Sequence, residues 1–282
     1  MFTLKIENSS GEIFELSHNL KNYAIVGIEG LTPPKTVVNT STGGGLDGTF
    51  YNSSRVEQRN IVIDTILNGD IEANRQRLYR IFPRKLPCTI YFENKYRHVK
   101  ILGYVEILEG NLFEQREQIQ ISIICPRPFF EDMETLYTEL SRVVSMFEFP
   151  FSISVPIPFS EIQQYPLCTI KNTGDAECGC TITVAISGDC KDLTIYNVTT
   201  QTYFGIKYEF VDGDEITIST VSGRMGVTLN RNGQTRNLLN YVTAGSTWFR
   251  LALGDNDFTF KQTGDSDAVK IMFATAILYG GV

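Results

Sequence analysis

The stretch "EQIQISIIC", residues 117–125, alternates polar and apolar side chains along most of its length. Successive side chains of a β-strand point to opposite faces of the sheet, so this alternation predicts a strand with one buried face. Half-buried strands of this kind are typical of antiparallel sheets. Other segments repeat the pattern and predict that the first half of the chain is mostly sheet: "FTLKIE", "EIFELS", "RNIVIDTI", "CTIYFE" and "HVKILGYVEIL".

The segment "NGDIEANRQRLYRIFPRK", residues 68–85, departs from this alternation. Its apolar residues recur at helical spacing, three on one stripe and two more available for burial: Ile71, Leu78 and Phe82, then Tyr79 and Ile81. Asp70 is a favoured N-cap residue, and Pro83 cannot continue a helix. We therefore predict one helix over about 70–82 that closes an open face or end of the sheet, with its arginines in solvent.

From about residue 165 to 279, short alternating segments return, separated by turn material such as "NTGD", "VDGDE" and "RNGQ". Short strands at such spacing predict a β-sandwich of jelly-roll or galectin-like form. The proline-rich sequence between the two halves cannot continue a hydrogen-bonded ladder. The predicted fold is therefore mainly β with two domains: a β domain with one helix over 1–132, a linker over 133–149, and a sandwich over 150–282.

The charge balance argues against nucleic acid as a partner. The chain has 25 basic and 32 acidic residues, with 15 and 16 of them in residues 1–132. Neutralising phosphates requires a basic excess, and neither half has one. A basic cluster on the predicted helix is interpreted as a solvated helix face: Arg75, Arg77, Arg80, Arg84 and Lys85. No secretory signal or membrane-length apolar run is present, so we expect a soluble cytoplasmic chain without membrane insertion.

The glycine-rich stretch "TSTGGGLDGTF", residues 40–50, raises the question of phosphate binding. A phosphate-binding loop needs a following helix and a Lys-Ser/Thr pair, and neither is present. An acidic side chain also lies where an anion would need a donor. The prediction is a mobile or interface-forming loop, and its candidate contact residues are Gly43, Gly44, Gly45, Asp47 and Gly48.

The residues that could bind a metal show no familiar spacing. Without an export signal, the six cysteines are expected to be free thiols. Four of them follow a C-x9-C-x-C-x9-C pattern that is not a known zinc motif, and they are predicted to be small buried strand residues: Cys168, Cys178, Cys180 and Cys190. His18 and His98 have no neighbouring ligands and are interpreted as structural or surface residues. No metal and no cofactor is predicted.

Catalytic patterns are equally weak, and the chain is predicted not to be an enzyme. No G-x-S-x-G elbow or Cys/His arrangement is present. A glycosidase needs only two carboxylates, but the acidic clusters lie where turns are expected and are interpreted as turn residues. These clusters are Asp212, Asp214 and Glu215, and Asp255 with Asp257.

Trp248 is the only tryptophan, and the alternating segment "STWFRLAL" around it predicts a strand. Two roles are open to this side chain. It can fill the core of the sandwich, or it can stack on a sugar ring as aromatic platforms do.

The order of these turns and strands resembles the distal tail proteins of siphophages. In that family an Asn-x-Gly-Asp turn, a Gly-Asp, an Asn-Gly hairpin and a Ser-x-Trp strand with a Gly-Asn-Asn-like turn follow one another. The matching positions here are Asn172, Gly174 and Asp175; Gly213 and Asp214; Asn232 and Gly233; and Ser246, Trp248, Gly254 and Asn256. The last turn departs mildly, as Gly-Asp-Asn. The stretches "GGGLDGTFYNSSRVEQRNIVIDTI" and "NLFEQREQIQISIICPRPFFED" extend the likeness over nearly the whole chain.

The resemblance implies a structural hub at the tail tip of the virion, assembled in the host cytoplasm. N-terminal domains form a hexameric ring, closed head to tail, on the tail tube, and galectin-like C-terminal domains point outward. The implied partners are copies of the chain, the tail tube protein, and tail-tip or receptor-binding proteins. Residues 40–54 would be loop material for contact with a ring neighbour or the tube. The alternative is a carbohydrate-binding module that contacts host wall saccharide, with Trp248 and exposed tyrosines stacking on sugars.

Overall fold

A computed structural model describes residues 2–16, 22–45, 47–111, 117–141, 167–264 and 268–282. They form two compact units, one of Met1–Glu134 with Leu278–Val282 and one of Thr135–Ile277. The described residues are mostly antiparallel strands with one α-helix, so the mainly β prediction is confirmed. Of the predicted linker, residues 133–141 lie in a strand and the rest lies outside the described residues.

The strands and helix of the first unit follow one another along the chain. They are β1 (Thr3–Asn8), β2 (Ile13–Leu16), β3 (Tyr23–Glu29), β4 (Thr36–Ser41), β5 (Phe50–Val56), β6 (Arg59–Leu67), α1 (Ile71–Ile81), β7 (Pro87–Glu93), β8 (His98–Gly110), β9 (Gln118–Cys125) and the first part of β10 (Phe130–Ser141). The main sheet has the antiparallel order β2–β1–β7–β8–β9–β6–β3.

Alternating isoleucines build the core of this sheet. Ile121 and Ile123 of β9 lie opposite Ile63 and Ile61 of β6, and all four side chains are fully buried. Burying such a side chain stabilises the fold by about 1.5–3 kcal/mol. The outer strands β2 and β3 approach each other through the rings of Phe14 and Tyr23, whose centroids are 4.8 Å apart. The sheet therefore curls around one core.

Helix α1 begins and ends as its sequence predicts. The Asp70 side chain accepts a hydrogen bond from the backbone N–H of Ala73 at 3.1 Å, as an N-cap does. Leu78 and Ile81 are fully buried, and Phe82 packs edge-on against the ring of Phe14 at 6.1 Å. These contacts place the helix across one end of the curled sheet.

Two details of the helix differ from the prediction. Tyr79 is exposed instead of buried, because it lies on the face opposite the core. Arg75 is the exception to the solvated basic face: its guanidinium binds the buried carboxylate of Glu117 at 2.8 Å. The other basic residues of the cluster are exposed, namely Arg77, Arg80, Arg84 and Lys85.

The second unit is a β-sandwich, as predicted. Its strands are the rest of β10, β11 (Cys168–Asn172), β12 (Thr181–Ile186), β13 (Cys190–Asn197), β14 (Thr202–Phe210), β15 (Glu215–Ser219), β16 (Gly226–Arg231), β17 (Gln234–Asn237), β18 (Gly254–Gly264) and β19 (Val269–Tyr279). One sheet has the order β17–β16–β15–β12–β19–β10 and the other has the order β11–β18–β13–β14. The Phe258 and Phe273 rings, one from each sheet, are 4.7 Å apart, which places the core between the sheets.

The strand predicted over "STWFRLAL" is wrong. Residues 246–250 form no strand, and Leu251 makes only an isolated bridge to Cys178. The apolar residues of this alternating pattern do lie in the core, because Phe249 and Leu251 are buried. A continuous partner strand is missing along this described segment, so no ladder forms. The sequence also missed β14, where three consecutive buried residues from Phe204 to Ile206 hide the period of two.

Gly103 lies where the inner face of β8 has no room for a side chain. An added Cβ would lie 2.5 Å from Cγ2 of Ile123 and 3.0 Å from Sγ of Cys125. We expect Gly103→Ala to lower the free energy of unfolding by about 1–3 kcal/mol, because the neighbouring core side chains must move. Urea unfolding followed by circular dichroism measures this change.

Gly226→Ala is the matched control, because no atom lies within 4 Å of its added Cβ. It should leave stability unchanged or slightly higher. Equal losses of unfolding free energy in Gly103→Ala and Gly226→Ala would contradict a packing effect at Gly103.

Candidate functional site

Strands β4 and β5 pair only with each other among the described strands. Every residue of β5 is exposed, and so is every residue of β4 except the half-buried Val37. We call residues 36–56 the arm. An isolated two-stranded hairpin is at best marginally stable in water, so the arm draws its stability from other contacts. The predicted loop over 40–54 is therefore wrong at Thr40 and Ser41, which end β4, and from Phe50 onward, where β5 begins. Strand β5 lacks an apolar alternation because neither of its faces is buried.

One face of the arm carries three exposed apolar side chains among hydroxyl groups. Directly opposed residues of an antiparallel pair share a face, and alternate residues of a strand do too. By this rule the register places six residues together: Thr36 with Val56, Val38 with Ser54, and Thr40 with Tyr51. Val38 is 54% exposed, Tyr51 66% and Val56 39%. These six residues are called the apolar face of the arm.

The other face of the arm is mixed, because it carries hydrogen-bonded polar groups beside Val37 and the 56% exposed Phe50. The Asn39 amide donates to the Ser53 hydroxyl at 3.0 Å, and the Ser41 hydroxyl donates to the Asn52 side chain at 3.2 Å. A bulge between Asn39 and Thr40 shifts the register and keeps Tyr51 on the apolar face. The hydroxyl groups of Tyr51 and Ser54 are 2.9 Å apart on that face. Both faces of the arm thus combine apolar and polar side chains, and the charged side chain of Arg55 belongs to the second face.

The predicted glycine-rich loop forms the turn between β4 and β5. It carries the candidate residues Gly43, Gly44, Gly45, Asp47 and Gly48, of which only Gly43 is half-buried and the others are exposed. Gly45 and Gly48 have φ angles of 78° and 92°, which glycine adopts without strain. A strand follows this loop, whereas a phosphate site needs the N-terminus of a helix. The contact role of these residues remains a prediction.

The arm is held at its base by Arg59, the first residue of β6. This side chain is buried, and its guanidinium lies 4.4 Å from the centroid of the Phe130 ring. It donates hydrogen bonds to four backbone carbonyl oxygens, those of Pro128 at 2.7 Å, Thr32 at 2.7 Å, Gly280 at 2.5 Å, and Gly30. Burial lowers the pKa of Arg59, although an arginine remains charged at neutral pH.

These contacts join the chain segments on both sides of the arm. Gly30 and Thr32 precede β4, and Arg59 follows β5, so one guanidinium ties the entry of the arm to its exit. The backbone N–H of Glu57 donates to the Lys35 carbonyl at 2.9 Å and closes the base. Gly30 has a φ of 84°, and a Cβ there would overlap the carbonyl oxygen of Asn60. The base is therefore fixed while the arm beyond it is exposed.

The acidic cluster around residue 214 has a structural role. Asp214 is buried, and Arg231 donates to both carboxylate oxygens, at 2.7 and 2.6 Å. The Val211 N–H adds a third hydrogen bond at 3.0 Å. Burial raises the pKa of Asp214, but the hydrogen bonds from Arg231 and Val211 outweigh it, and the pKa is lowered. Asp214 thus fixes the turn before β15, while Asp212 and Glu215 are exposed.

The second acidic cluster lies in a strand instead of a turn. Asp255 and Asp257 belong to β18 and lie opposite Lys171 and Thr169 of β11. The Thr169 hydroxyl donates to the Asp257 carboxylate at 2.6 Å. The turn itself is organised by Asn256, whose side chain accepts from the Ala252 N–H at 2.9 Å. The strand therefore begins earlier than the turn residues suggested.

All six cysteines are free thiols, and all but the half-buried Cys168 are buried. Burial raises the pKa of each of them, to about 11 for Cys168 and to about 12 for Cys180. Protonated thiols are poor nucleophiles and poor metal ligands. Within the described ranges, no three His, Cys, Asp or Glu side chains cluster as a metal site would require. His98 is exposed, and His18 lies outside the described residues.

Trp248 is half-buried in the second unit. Its ring lies 4.8 Å from that of the buried Phe204, at 53° between the planes. This contact is the kind that fills a core edge. The sugar-stacking role of Trp248 remains a prediction.

Two family models match the chain, one in each unit. Residues 173–276 match the C-terminal domain of the siphovirus-type tail component, and residues 11–116 match the RIFT-related domain of phage tail proteins. The chain belongs to the distal tail protein family of siphophages. It is therefore a structural component of a phage tail, and the resemblance seen in the sequence is confirmed.

Solved structures share the fold of this chain. The Dit protein (gp 19.1) of phage SPP1, described as a paradigm of the hub adsorption apparatus in phages that infect Gram-positive bacteria, is 15% identical with a TM-score of 0.72, over 98% of this chain and 99% of that one. The phage P2 baseplate in its activated conformation with Ca matches at 12% identity and a TM-score of 0.57, over 98% of both chains. The same baseplate with Sr matches at 11% and 0.52, over 97% and 98%.

No curated protein matches the sequence of the chain. In the part of the chain that the structure describes, no helix has both the length and the apolar character needed to cross a bilayer.

Arg59→Lys tests the base of the arm. A lysine ammonium has three donors on a flexible stem, so it cannot reproduce the planar fork that binds four carbonyl groups. We expect the free energy of unfolding to fall by about 2–4 kcal/mol, because buried carbonyl oxygens lose their donors. Proteolysis should also cut the arm faster. Arg55→Lys, on the exposed arm, is the control and should change neither quantity; equal effects would exclude a special role for Arg59.

Arg231→Met tests the buried ion pair. The pKa of Asp214 is lowered in the folded state, so this pair stabilises the fold above the unfolded pKa of about 3.9, and its contribution is lost as the pH falls through the lower folded value. At pH 7 we expect Arg231→Met to lower the free energy of unfolding by about 2–4 kcal/mol. The difference in the free energy of unfolding between variant and wild type should become smaller at acidic pH.

Urea unfolding at a series of pH values from neutral to strongly acidic measures this difference. The exposed pair Lys191–Glu209 supplies the control, Lys191→Met, which should change little at any pH. If the loss of unfolding free energy in Arg231→Met does not vary with pH, the ion-pair explanation is contradicted.

Proposed function

We propose that this chain is the hub of a phage tail tip, where six copies form a ring that joins the tail tube to the adsorption proteins. The ring, its six-fold number and its assembly in the host cytoplasm are what the family resemblance implies. The observation that carries the proposal is the arm, an unpaired two-stranded sheet with an exposed apolar face on a fixed base.

The arm is a surface that association would stabilise. Burying apolar area contributes about 25 cal/mol per Å². Val38, Tyr51 and Val56 expose apolar area that no other part of the single chain covers. An exposed strand edge also invites pairing with another chain. A neighbouring copy that covers the arm would bury the exposed apolar area and shield the exposed strand edge.

The charge of the first half supports contact between copies of it. Residues 1–132 hold 15 basic and 16 acidic groups, so close approach of several copies meets little net repulsion. The arm and the surface that receives it are different patches of one chain. A contact of this kind is head to tail, and repeated rotation closes it into a ring.

The sandwich of the second unit provides a separate folded body for the other tail-tip partners. Its core is apolar, and two of its clustered carboxylates have structural partners: Asp214 binds Arg231, and Asp257 accepts a hydrogen bond from Thr169. This arrangement suits a structural, non-enzymatic role.

Val38→Asp tests the role of the arm in assembly. The new carboxylate would lie in the apolar contact between copies, where an unpaired charge is costly. We expect the wild-type chain to show about six times the 31.8 kDa mass of one chain in light scattering, and Val38→Asp to be monomeric.

Ser53→Asp is the matched control, because it adds the same charge on the opposite face of the same arm, beside Asn39. This variant should keep the assembled mass. If both variants assemble like the wild type, the arm is not an assembly element.

A further inference from the structure

Residues 278–282 belong to the first unit, although they follow the whole second unit in sequence. Four of them are called the closing segment: Tyr279, Gly280, Gly281 and Val282. Gly280 is buried, and Tyr279 and Val282 pack half-buried against the core of the first unit. The ribosome therefore adds a packed part of the first unit only after the second unit has been made.

The side chain of Arg97, in the turn between β7 and β8, holds the closing segment. Its guanidinium donates to the Gly281 carbonyl oxygen at 2.7 Å and lies 4.2 Å from the centroid of the Tyr279 ring. The hydroxyl of Tyr279 donates to the Asp132 carboxylate at 3.0 Å. Hydrogen bonds that involve a charged group are stronger than neutral ones, so these contacts fix the closing segment on the first unit.

The closing segment also contacts the chain where it enters the arm. The backbone N–H of Val282 donates to the Leu31 carbonyl oxygen at 3.1 Å. A Cβ on Gly281 would lie 3.1 Å from the same oxygen and 3.2 Å from Cδ of Pro33. The Gly280 carbonyl accepts a hydrogen bond from Arg59 at 2.5 Å. The closing segment is therefore one wall of the base of the arm.

We propose that the closing segment is an assembly checkpoint: the arm takes its fixed position only when this segment is bound, and a chain that lacks it does not join the ring. This inference rests on the proposed ring. Without the closing segment, the Leu31 carbonyl loses an N–H donor, and Arg59 and Arg97 each lose an acceptor. Polar groups left without partners are costly, so the entry of the arm would rearrange. A mobile arm must then be ordered on binding, which weakens its contact with a neighbouring copy.

The order of the sequence gives this contact its role as a checkpoint. Domains fold as they are synthesised, the N-terminal one first, so strands of the first unit form while the second unit is still incomplete. An exposed hairpin on an incomplete chain is a hazard, because its strand edges can pair with other chains. Positioning the arm last restricts ring formation to chains in which both units have been made.

Gly281→Val tests the position of the arm in a full-length chain, because a larger side chain has no room beside the entry of the arm. Spin labels are attached at Ser53→Cys on the arm and Tyr79→Cys on the exposed face of α1, with Cys168→Ser removing the half-buried native thiol. Pulsed electron paramagnetic resonance then measures the distance between the labels. Labelled chains are diluted with unlabelled ones so that only distances within one chain are recorded. We expect a narrow distance distribution with Gly281 and the loss of that distribution in Gly281→Val.

Gly226→Val is the matched control, because no atom lies within 4 Å of an added Cβ at that position. It should keep both the narrow distribution and the assembled mass in light scattering, whereas Gly281→Val should be monomeric. Circular dichroism should show folded protein for both variants.

A chain that ends at Leu278 tests the checkpoint itself. An affinity-tagged copy of this shortened chain is expressed together with the untagged wild type, and a tagged full-length chain is the positive control. The tagged full-length chain should co-purify with untagged copies, and the shortened chain should not. Tagged Gly281→Val, which is full length, should behave like the shortened chain; this comparison separates loss of the checkpoint from a general failure to fold.

The outcomes separate this inference from the proposed ring. If Gly281→Val and the shortened chain keep the narrow distance distribution, the closing segment does not position the arm, and the inference fails even if the ring forms. If the distribution broadens but both chains still enter the ring, the checkpoint is overturned. A wild type that stays monomeric at every soluble concentration overturns the ring and the checkpoint, whereas the distance measurement still decides whether the closing segment positions the arm.

Discussion

The guanidinium of Arg59 is the constraint on which the first unit depends. It is buried, and it binds backbone carbonyl groups from three stretches of chain that are far apart in sequence. A buried charge is costly unless it is fully hydrogen-bonded, so these carbonyl groups must keep their positions. Since two of those carbonyl groups precede the arm, the direction in which the arm leaves the unit is fixed by the same contacts. Surface chemistry on the arm then becomes useful for recognition, because its position is defined.

Much of the fold follows from burial, and burial leaves a pattern in the sequence. The isoleucines of β9 alternate because every second side chain enters the core, and the cap at Asp70 and the stop at Pro83 bound the only α-helix among the described residues. The order of turns in the second half was sufficient to predict a sandwich. These predictions depend on local signals that tertiary structure did not override.

The candidate site was harder to predict for a physical reason. Strand β5 has two exposed faces, so no hydrophobic period distinguishes it from a loop, and only the tip of the arm was foreseen. The amino-acid sequence around Arg59 does not distinguish a buried arginine from a solvated one. The converse error occurred near Trp248, where Phe249 and Leu251 alternate into the core but no continuous partner ladder is present along that described segment. Strand pairing and side-chain burial are therefore separate properties, and an alternating sequence predicts only the burial.

The state of the cysteines has a consequence for a particle that persists outside cells. Oxidants modify thiolates that they can reach, and here five thiols are buried and the sixth is half-buried. Burial also keeps them protonated, as the pKa of about 12 for Cys125 illustrates. The chain carries no disulfide that a change of redox environment could open or exchange. The fold thus depends on no disulfide whose state differs between a reducing cell and air.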